Sequence, residues 1–163
     1  MVAVSSFLLK VHNSFLKNAF FDFEIVLTDL LMVIFSILSA FTGIKIHYAN
    51  DFQTHEICHT WSVIHVLTNI ALLIVAIKHI KQHWGWYKSL FKKNNLANKS
   101  KITILTTIIF AVTVITGTHL LLFINGQKSS MGFAHYIIGL LFGAMGLLHF
   151  IKRWKIFKKG IIK

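Results

Sequence analysis

Four long apolar stretches are the feature that most constrains what this chain can fold into. They cover roughly residues 25–48, 60–83, 102–124 and 133–151. Each has about 19 to 24 residues, enough for a helix to cross a hydrocarbon core of roughly 30 Å. Inside lipid the backbone must satisfy its own hydrogen bonds, so four such stretches mean four helices. Because the connections are short, the sequence predicts an all-α integral membrane protein, an up-down four-helix bundle.

The distribution of basic residues predicts how this bundle is oriented. The net charge is +12, and fifteen of the seventeen Lys and Arg residues fall on one side of the predicted topology. Only Lys45 and Lys128 fall on the other side. By the positive-inside rule both termini are then cytoplasmic, in a multi-pass protein of a bacterial-type cytoplasmic (inner) membrane. We interpret the charge as a topology signal and expect no nucleic-acid partner.

The domain organisation follows from the same pattern. Residues 25–155 form the transmembrane domain, for which membrane lipid is the expected partner. Residues 1–24 carry apolar side chains near a helical period, which predicts a segment lying in the cytoplasmic interface. Residues 156–163 are interpreted as a basic cytoplasmic tail.

The second and fourth apolar stretches repeat one pattern. His65–Trp84 aligns with His135–Trp154 at an offset of 70 residues, and both read H-x13-H-x4-W without a gap. The stretches before them correspond loosely, through "FTGIKIH" in the first and "ITGTHL" in the third. We therefore interpret the chain as two copies of one helical hairpin.

The repeated histidines predict two cofactor sites. Residues 14 positions apart on a helix differ by about 40° around the axis and by roughly 21 Å along it. Because the second and fourth spans run in the same direction, His65 is expected level with His135 near the outside. By the same argument His79 is expected level with His149 near the cytoplasm. Two facing neutral imidazoles at each level are suited to axial ligation of haem, so the pattern predicts two b-type haems.

Other residues at these levels are candidates for the cofactor environment. Gly139, Gly143 and Gly146 lie beside the histidine face of the fourth span, where they allow either a flat macrocycle or a neighbouring helix to approach. His47 and His119 lie at the outer ends of the first and third spans. They are candidates for alternative ligands, partners of haem propionates or residues of a quinol site, or else are interfacial histidines bonded to backbone.

On these residues the chain resembles a known family. The signals are "TG" near the end of the first and third spans, W-x-x-x-H opening the second, and the "H…HW" endings, over about residues 25–155. They are similar to those of small four-helix bacterial di-haem b-type membrane cytochromes, especially the flavinylation-associated ones. More loosely, the chain resembles the cytochrome b anchors of formate dehydrogenases and hydrogenases. The resemblance implies transmembrane electron transfer within a redox complex. Its implied partners are a flavoprotein, an iron–sulfur protein or a cytochrome, with quinone as a further candidate.

The segment "THEICHTWSVIH" also matches the H-E-x-x-H motif of zinc proteases, with a third histidine beyond it. We place His55 and Glu56 in the short outer loop, while His59 and His65 run into a membrane helix. Ser62 stands where the metzincin pattern has a glycine that turns the chain toward its third ligand. Because the repeat already explains His65, we interpret the match as a coincidence and do not expect a metalloprotease.

Several polar residues have open roles. Asp29 is either a proton relay toward a quinone near the inner haem or an interfacial acid that reaches water or pairs with lysine. His83 shares a face with His79 but aligns with Arg153 in the repeat, which makes it a weaker candidate ligand. No role is assigned to His12, His55, Cys58 and His59.

Two other classes of function stay open beside the cytochrome. One is a histidine-lined metal-ion transporter, although transporters more often show broken helices, and this chain has no proline and no carboxylate in mid-span. The other is a membrane anchor whose histidines hold no cofactor. The sequence has one cysteine, Cys58, so this chain alone cannot supply the cysteine ligands of an iron–sulfur cluster.

Overall fold

The computed structural model is all-α over the part of the chain that it describes. The backbone is described for residues 2–52, 55–90, 101–123 and 129–161, and the side chains for 23–49, 56–90, 101–123, 129–155, 157 and 158. The helices in these ranges are α1 (Val2–Phe52), α2 (His55–Gln82), α3 (Trp84–Leu90), α4 (Lys101–Phe123) and α5 (Ser130–Ile161). The predicted fold class is therefore confirmed.

Four of these helices are long and apolar enough to cross a membrane. The spans are Phe23–Ala49, Glu56–Gln82, Lys101–Phe123 and Ser130–Lys155, each within a few residues of the predicted stretch. Large apolar side chains are exposed on all four, among them Ile37, Leu67, Ile115 and Leu147. A continuous apolar exterior of this kind needs a nonaqueous neighbour, which lipid supplies. The chain is a multi-pass membrane protein.

The helices extend further than the apolar stretches alone predict. Helix α2 begins at His55, so the placement of His55 and Glu56 in a loop was wrong. Glu56 lies in the first turn, where a carboxylate interacts favourably with the helix dipole. Helix α1 runs back to Val2 without a break at residue 24, and α5 continues to Ile161, so most of the predicted tail is helical. The short helix α3 was not predicted.

Side-chain contacts define the direction of each helix relative to its neighbour. Late in α1, Thr42 bonds His65, which is early in α2. Early in the membrane span of α1 (Phe23–Ala49), Asp29 bonds His79, which is late in α2. The same crossed pattern joins α4 to α5. Both pairs are therefore antiparallel hairpins, as the repeat predicts.

Helices α1 and α5 bring the two hairpins together. His47, near the end of α1, stacks on Tyr136, near the start of α5, with ring centroids 4.3 Å apart. Since α2 and α5 are both antiparallel to α1, they run in the same direction. Within the described ranges, no Cα of α2 lies within 8 Å of a Cα of α5. The two histidine-bearing helices are thus separated, and only their side chains reach across.

Polar side chains inside the bundle bond within or between helices. Thr28 and Thr42 are buried, and each hydroxyl donates to the carbonyl four residues earlier. Ser39 of α1 donates to the amide oxygen of Asn69 of α2 at 2.8 Å. Bonds of this kind let polar groups lie inside a membrane without water.

Candidate functional site

His65 of α2 and His135 of α5 face each other between the hairpins. Their ring centroids lie 6.3 Å apart, and the ring planes are 83° apart. Two rings that bind one metal ion through nitrogen from opposite sides, on bonds of about 2 Å each, have centroids about 6 Å apart. Both residues are half-buried. The pair therefore has the spacing of two imidazoles that can share one ion.

Thr42 bonds Nδ1, one of the two ring nitrogens of His65. Its Oγ1 lies 2.8 Å from Nδ1 of His65. The same hydroxyl lies 2.8 Å from the carbonyl oxygen of Leu38 and 3.1 Å from that of Ser39, to either of which it can donate. This arrangement suits the tautomer in which Nδ1–H of His65 donates to the hydroxyl oxygen. That tautomer leaves the Nε2 lone pair free for a metal.

Thr116 has the same effect on His135 in the second hairpin. Its Oγ1 lies 2.9 Å from Nδ1 of His135. The same hydroxyl lies 2.9 Å from the carbonyl oxygen of Val112 and 3.1 Å from that of Thr113. This arrangement suits the same tautomer of His135, with Nδ1–H as donor and Nε2 free.

The glycines after these threonines allow each histidine ring to lie against the preceding helix. A Cβ at Gly43 would lie 3.4 Å from Cε1 of His65, and one at Gly117 would lie 3.0 Å from Cε1 of His135. The second distance is too short for a side chain unless the ring moves. The two "TG" pairs of the repeat thus form the surfaces that hold the outer histidines.

The inner histidines are held through the same ring nitrogen. Nδ1 of His79 lies 2.9 Å from Oδ1 of Asp29, and an ionised carboxylate can only accept. Nδ1 of His149 lies 3.2 Å from Oγ1 of Thr103. His149 is within electrostatic range of His79. In each hairpin, the first helix therefore holds Nδ1 of both histidines on the second.

The residues that hold the inner histidines are themselves related by the repeat. Asp29 and Thr103 are 74 positions apart, and so are Thr42 and Thr116. Sequence analysis did not assign a histidine contact to any of these four residues. Asp29 and Thr103 are different amino acids, so sequence identity does not show that they correspond. The offset of 74 positions that they share with Thr42 and Thr116 is the signal that would have shown it.

A second arrangement is present at the inner end. The ligand atoms of Asp29, His79 and His83 lie within 4.8 Å of one another. The rings of His79 and His83 are 4.6 Å apart. Two imidazoles and a carboxylate also suit a divalent cation such as Zn²⁺. This grouping does not follow the repeat, because the counterpart of His83 is Arg153, which cannot ligate a cation.

The remaining histidines of the outer end have other surroundings. His119 is exposed, and its ring lies 5.3 Å from that of Phe123 in its own helix. Among the described side chains, no hydrogen bond or ring contact joins His119 to His135. His47 is half-buried, and its stack on Tyr136 has ring planes 20° apart. Neither residue is brought into the His65–His135 pair.

The glycines of α5 border open space. A Cβ at Gly139, Gly143 or Gly146 would meet no atom within 4 Å. Gly139 lies one turn beyond His135, on nearly the same side of the helix. The close helix contact that was the alternative explanation for these glycines is therefore not found at any of the three.

The H-E-x-x-H segment lies on one unbroken helix. Glu56 and His59 are exposed, whereas Cys58 is buried. His65 follows His59 by six residues, about 240° around the helix axis, so the two point in different directions. The side chain of His55 lies outside the described residues. The part of the motif that is described does not converge on one point.

The chain matches no protein-family model, no curated protein and no solved structure. Its class therefore rests on the fold and the site. It is a multi-pass helical membrane protein in which two repeated hairpins hold histidines between them.

Proposed function

We propose that the protein is a membrane b-type cytochrome that binds two haems and carries electrons across the membrane. A haem iron bound at each histidine level supplies one-electron chemistry. The observation that carries the proposal is the hydrogen bond at Nδ1 of all four repeated histidines. Metal-bound histidines commonly donate their other ring N–H to a polar group, which fixes the tautomer and orientation of the ring.

The geometry of the outer pair supports this assignment most directly. His65 and His135, whose ring centroids lie 6.3 Å apart, would hold the outer haem iron, and their helices do not approach each other closely. A macrocycle needs space beside its ligands, and the side of α5 at Gly139 and Gly143 borders open space. These residues therefore fit a haem.

The protein's own residues have a clear division of roles. Helices α2 and α5 carry the ligands, while α1 and α4 carry the groups that orient them. Thr42 and Thr116 hold the outer rings in the metal-binding tautomer without adding charge. The apolar spans keep bulk water from the site, and burial is one of the features that tune a haem potential.

The orientation and partners belong to the same proposal. The basic residues favour a bacterial-type inner membrane with both termini, and the His79–His149 level, toward the cytoplasm. The proposed role is that of one subunit of a redox complex. The partner is proposed to be a flavoprotein, an iron–sulfur protein or another cytochrome, with quinone as a further exchange partner.

Haem content is the decisive test. The purified protein should show b-type bands in a reduced-minus-oxidised spectrum and two haems per chain in a pyridine haemochrome assay. His65→Ala should lose about one haem, because it removes one of the two histidines that would hold the outer haem. His59→Ala is the matched control, since His59 is an exposed histidine of the same helix. A haem-free protein, or one that holds zinc in place of haem, would contradict the proposal.

The cluster of Asp29, His79 and His83 favours a second candidate, a divalent-cation site of a metal transporter. The variant His83→Ala separates the two. A cation site should lose bound zinc in elemental analysis of this variant, whereas the cytochrome should keep both haems. We favour the cytochrome because it accounts for all four repeated histidines.

A further inference from the structure

The inner and outer ends differ in the charge of the groups that bond Nδ1 of the histidines. Thr42, Thr116 and Thr103 are neutral, whereas Asp29 is a carboxylate. The side chains of Asp29 and His79 are only 27% and 24% exposed. The pair is thus largely withdrawn from water. Its position at the end of a span makes an acid there costly unless it has a partner.

We propose that Asp29 is a positioning residue that lowers the reduction potential of the inner haem and makes it the lower-potential haem of the two. The proposal rests on the di-haem function above. Thr103, the counterpart of Asp29 in the repeat, bonds His149 without a charge. The proposal therefore assigns the lowering of the potential to Asp29 alone.

The direction of the effect follows from two properties of the carboxylate. It accepts a charge-assisted hydrogen bond from the imidazole, which makes Nε2 a stronger electron donor. It also places a negative charge beside the ligand. Both stabilise the ferric state relative to the ferrous state, because ferric iron carries one more positive charge. Hydrogen bonding beyond the axial ligand is a recognised means of tuning haem.

Positive groups at the inner end would raise the reduction potential of the inner haem, but they act on it less directly than Asp29. Arg153 is within electrostatic range of His83 and His149. Lys78 is half-exposed and lies 3.8 Å from Glu24. Charges that reach water are screened by solvent and salt, whereas Asp29 bonds the ligand itself. We therefore expect the carboxylate to determine the order of the two potentials.

A redox titration of the haem-replete protein, resolved into two components, tests the proposal. Asp29→Asn keeps an oxygen that can accept from His79 and removes the charge. It should shift the lower-potential component upward and leave the other in place. Thr103→Asp should shift that same component further downward, because it adds a carboxylate at His149. Loss of the lower-potential component in His79→Ala assigns it to the inner site.

Glu24→Gln is the matched control. It removes the same charge from the same helix, at a residue that pairs with lysine and not with a haem-ligating histidine. It should shift neither component appreciably. A shift as large as that of Asp29→Asn would mean that net charge, and not the hydrogen bond, sets the potential, and would overturn the proposal.

The remaining outcomes are also decisive. Two haems retained in Asp29→Asn with both potentials unchanged, or a shift of the higher-potential component, overturns the role of Asp29 and leaves the di-haem function standing. If Asp29→Asn fails to keep its haem, Thr103→Asp decides, and the absence of a downward shift overturns the proposal. A wild-type protein without haem overturns the proposed function and this inference together.

Discussion

At the scale of single residues, the threonines before Gly43 and Gly117 have two simultaneous functions. Each hydroxyl lies within bonding distance of a carbonyl one turn earlier in its own helix and of Nδ1 of a histidine on the next helix. A hydroxyl that donates its only proton to the carbonyl accepts from Nδ1–H of the histidine. A threonine in this position therefore suits the histidine tautomer whose Nε2 is free for a metal.

Removing these hydroxyls should weaken the proposed outer haem site. In Thr42→Val or Thr116→Val the side-chain shape is nearly kept, but Nδ1–H of His65 or His135 loses its partner. Loss of such a contact typically costs about 10- to 100-fold in metal affinity. Haem retention during dilution, followed by absorbance, measures the loss. The serine variants keep the hydroxyl and should retain haem, and equal loss in serine and valine variants would contradict the explanation.

The two glycines should differ in sensitivity. A methyl group at position 117 would lie 3.0 Å from Cε1 of His135, whereas one at position 43 would lie 3.4 Å from Cε1 of His65. Gly117→Ala therefore forces the ring to move, at a cost of about 1–3 kcal/mol that is typical of overpacking. Gly43→Ala should cost less. Thermal unfolding and the outer-haem spectrum would show this order, and greater damage from Gly43→Ala would contradict it.

At the scale of helices, α2 joins two segments that suggest different functions. Its first turns carry the H-E-x-x-H motif, and its last turn carries His79. In a zinc-protease site of this type, the backbone turns away from the helix before it reaches the third ligand. Here the helix continues without a break to Gln82. The unbroken α2 therefore offers no turn for a third zinc ligand. His65 and His79 are instead held by residues of α1.

Glu56→Gln should leave haem content and electron transfer almost unchanged. Glu56 is exposed in the first turn of α2 and aligns with no acidic residue in the second hairpin. A pyridine haemochrome assay and the rate of haem reduction are the measurements. Loss of activity with both haems retained would restore a catalytic role for the motif.

At the scale of the whole molecule, the structure is a duplication with one chemical asymmetry. Both hairpins place Nδ1-bonded histidines at two levels about 21 Å apart along their helices. The hairpins meet through α1 and α5, while α2 and α5 stay apart. Three of the four groups that hold the histidines are threonines, and the fourth is Asp29. The duplication thus accounts for two similar sites, and the aspartate makes one of them different.

The four histidine variants should fall into two groups. His65→Ala and His135→Ala should mainly disturb one haem, since these residues face each other. His79→Ala and His149→Ala should mainly disturb the other. Optical spectra and redox titration of the four single variants test the grouping. If His65→Ala matched His149→Ala, or if His47 or His119 proved indispensable to a haem while His65 or His135 did not, the ligand assignment would be wrong.

Much of the architecture was predictable from the sequence, because lipid leaves a chain few choices. Span-length apolar stretches must be helices, so the four spans follow from hydropathy and length alone. The placement of His65 opposite His135 follows from the regular period of a helix and from the repeat. The start of α2 was misplaced because residues such as His55 and Glu56 are polar enough to read as a loop, although nothing in them breaks a helix.

Only the tertiary structure decided what holds the histidines. A span that is apolar on every side carries little signal for its rotation about its own axis. The sequence therefore could not show that α1 turns Thr42 and Asp29 toward α2, or that α4 turns Thr116 and Thr103 toward α5. Nor could it show that His47 stacks on Tyr136 or that Glu24, and not Asp29, pairs with lysine. These contacts depend on how the helices pack, and packing is a property of all four spans together.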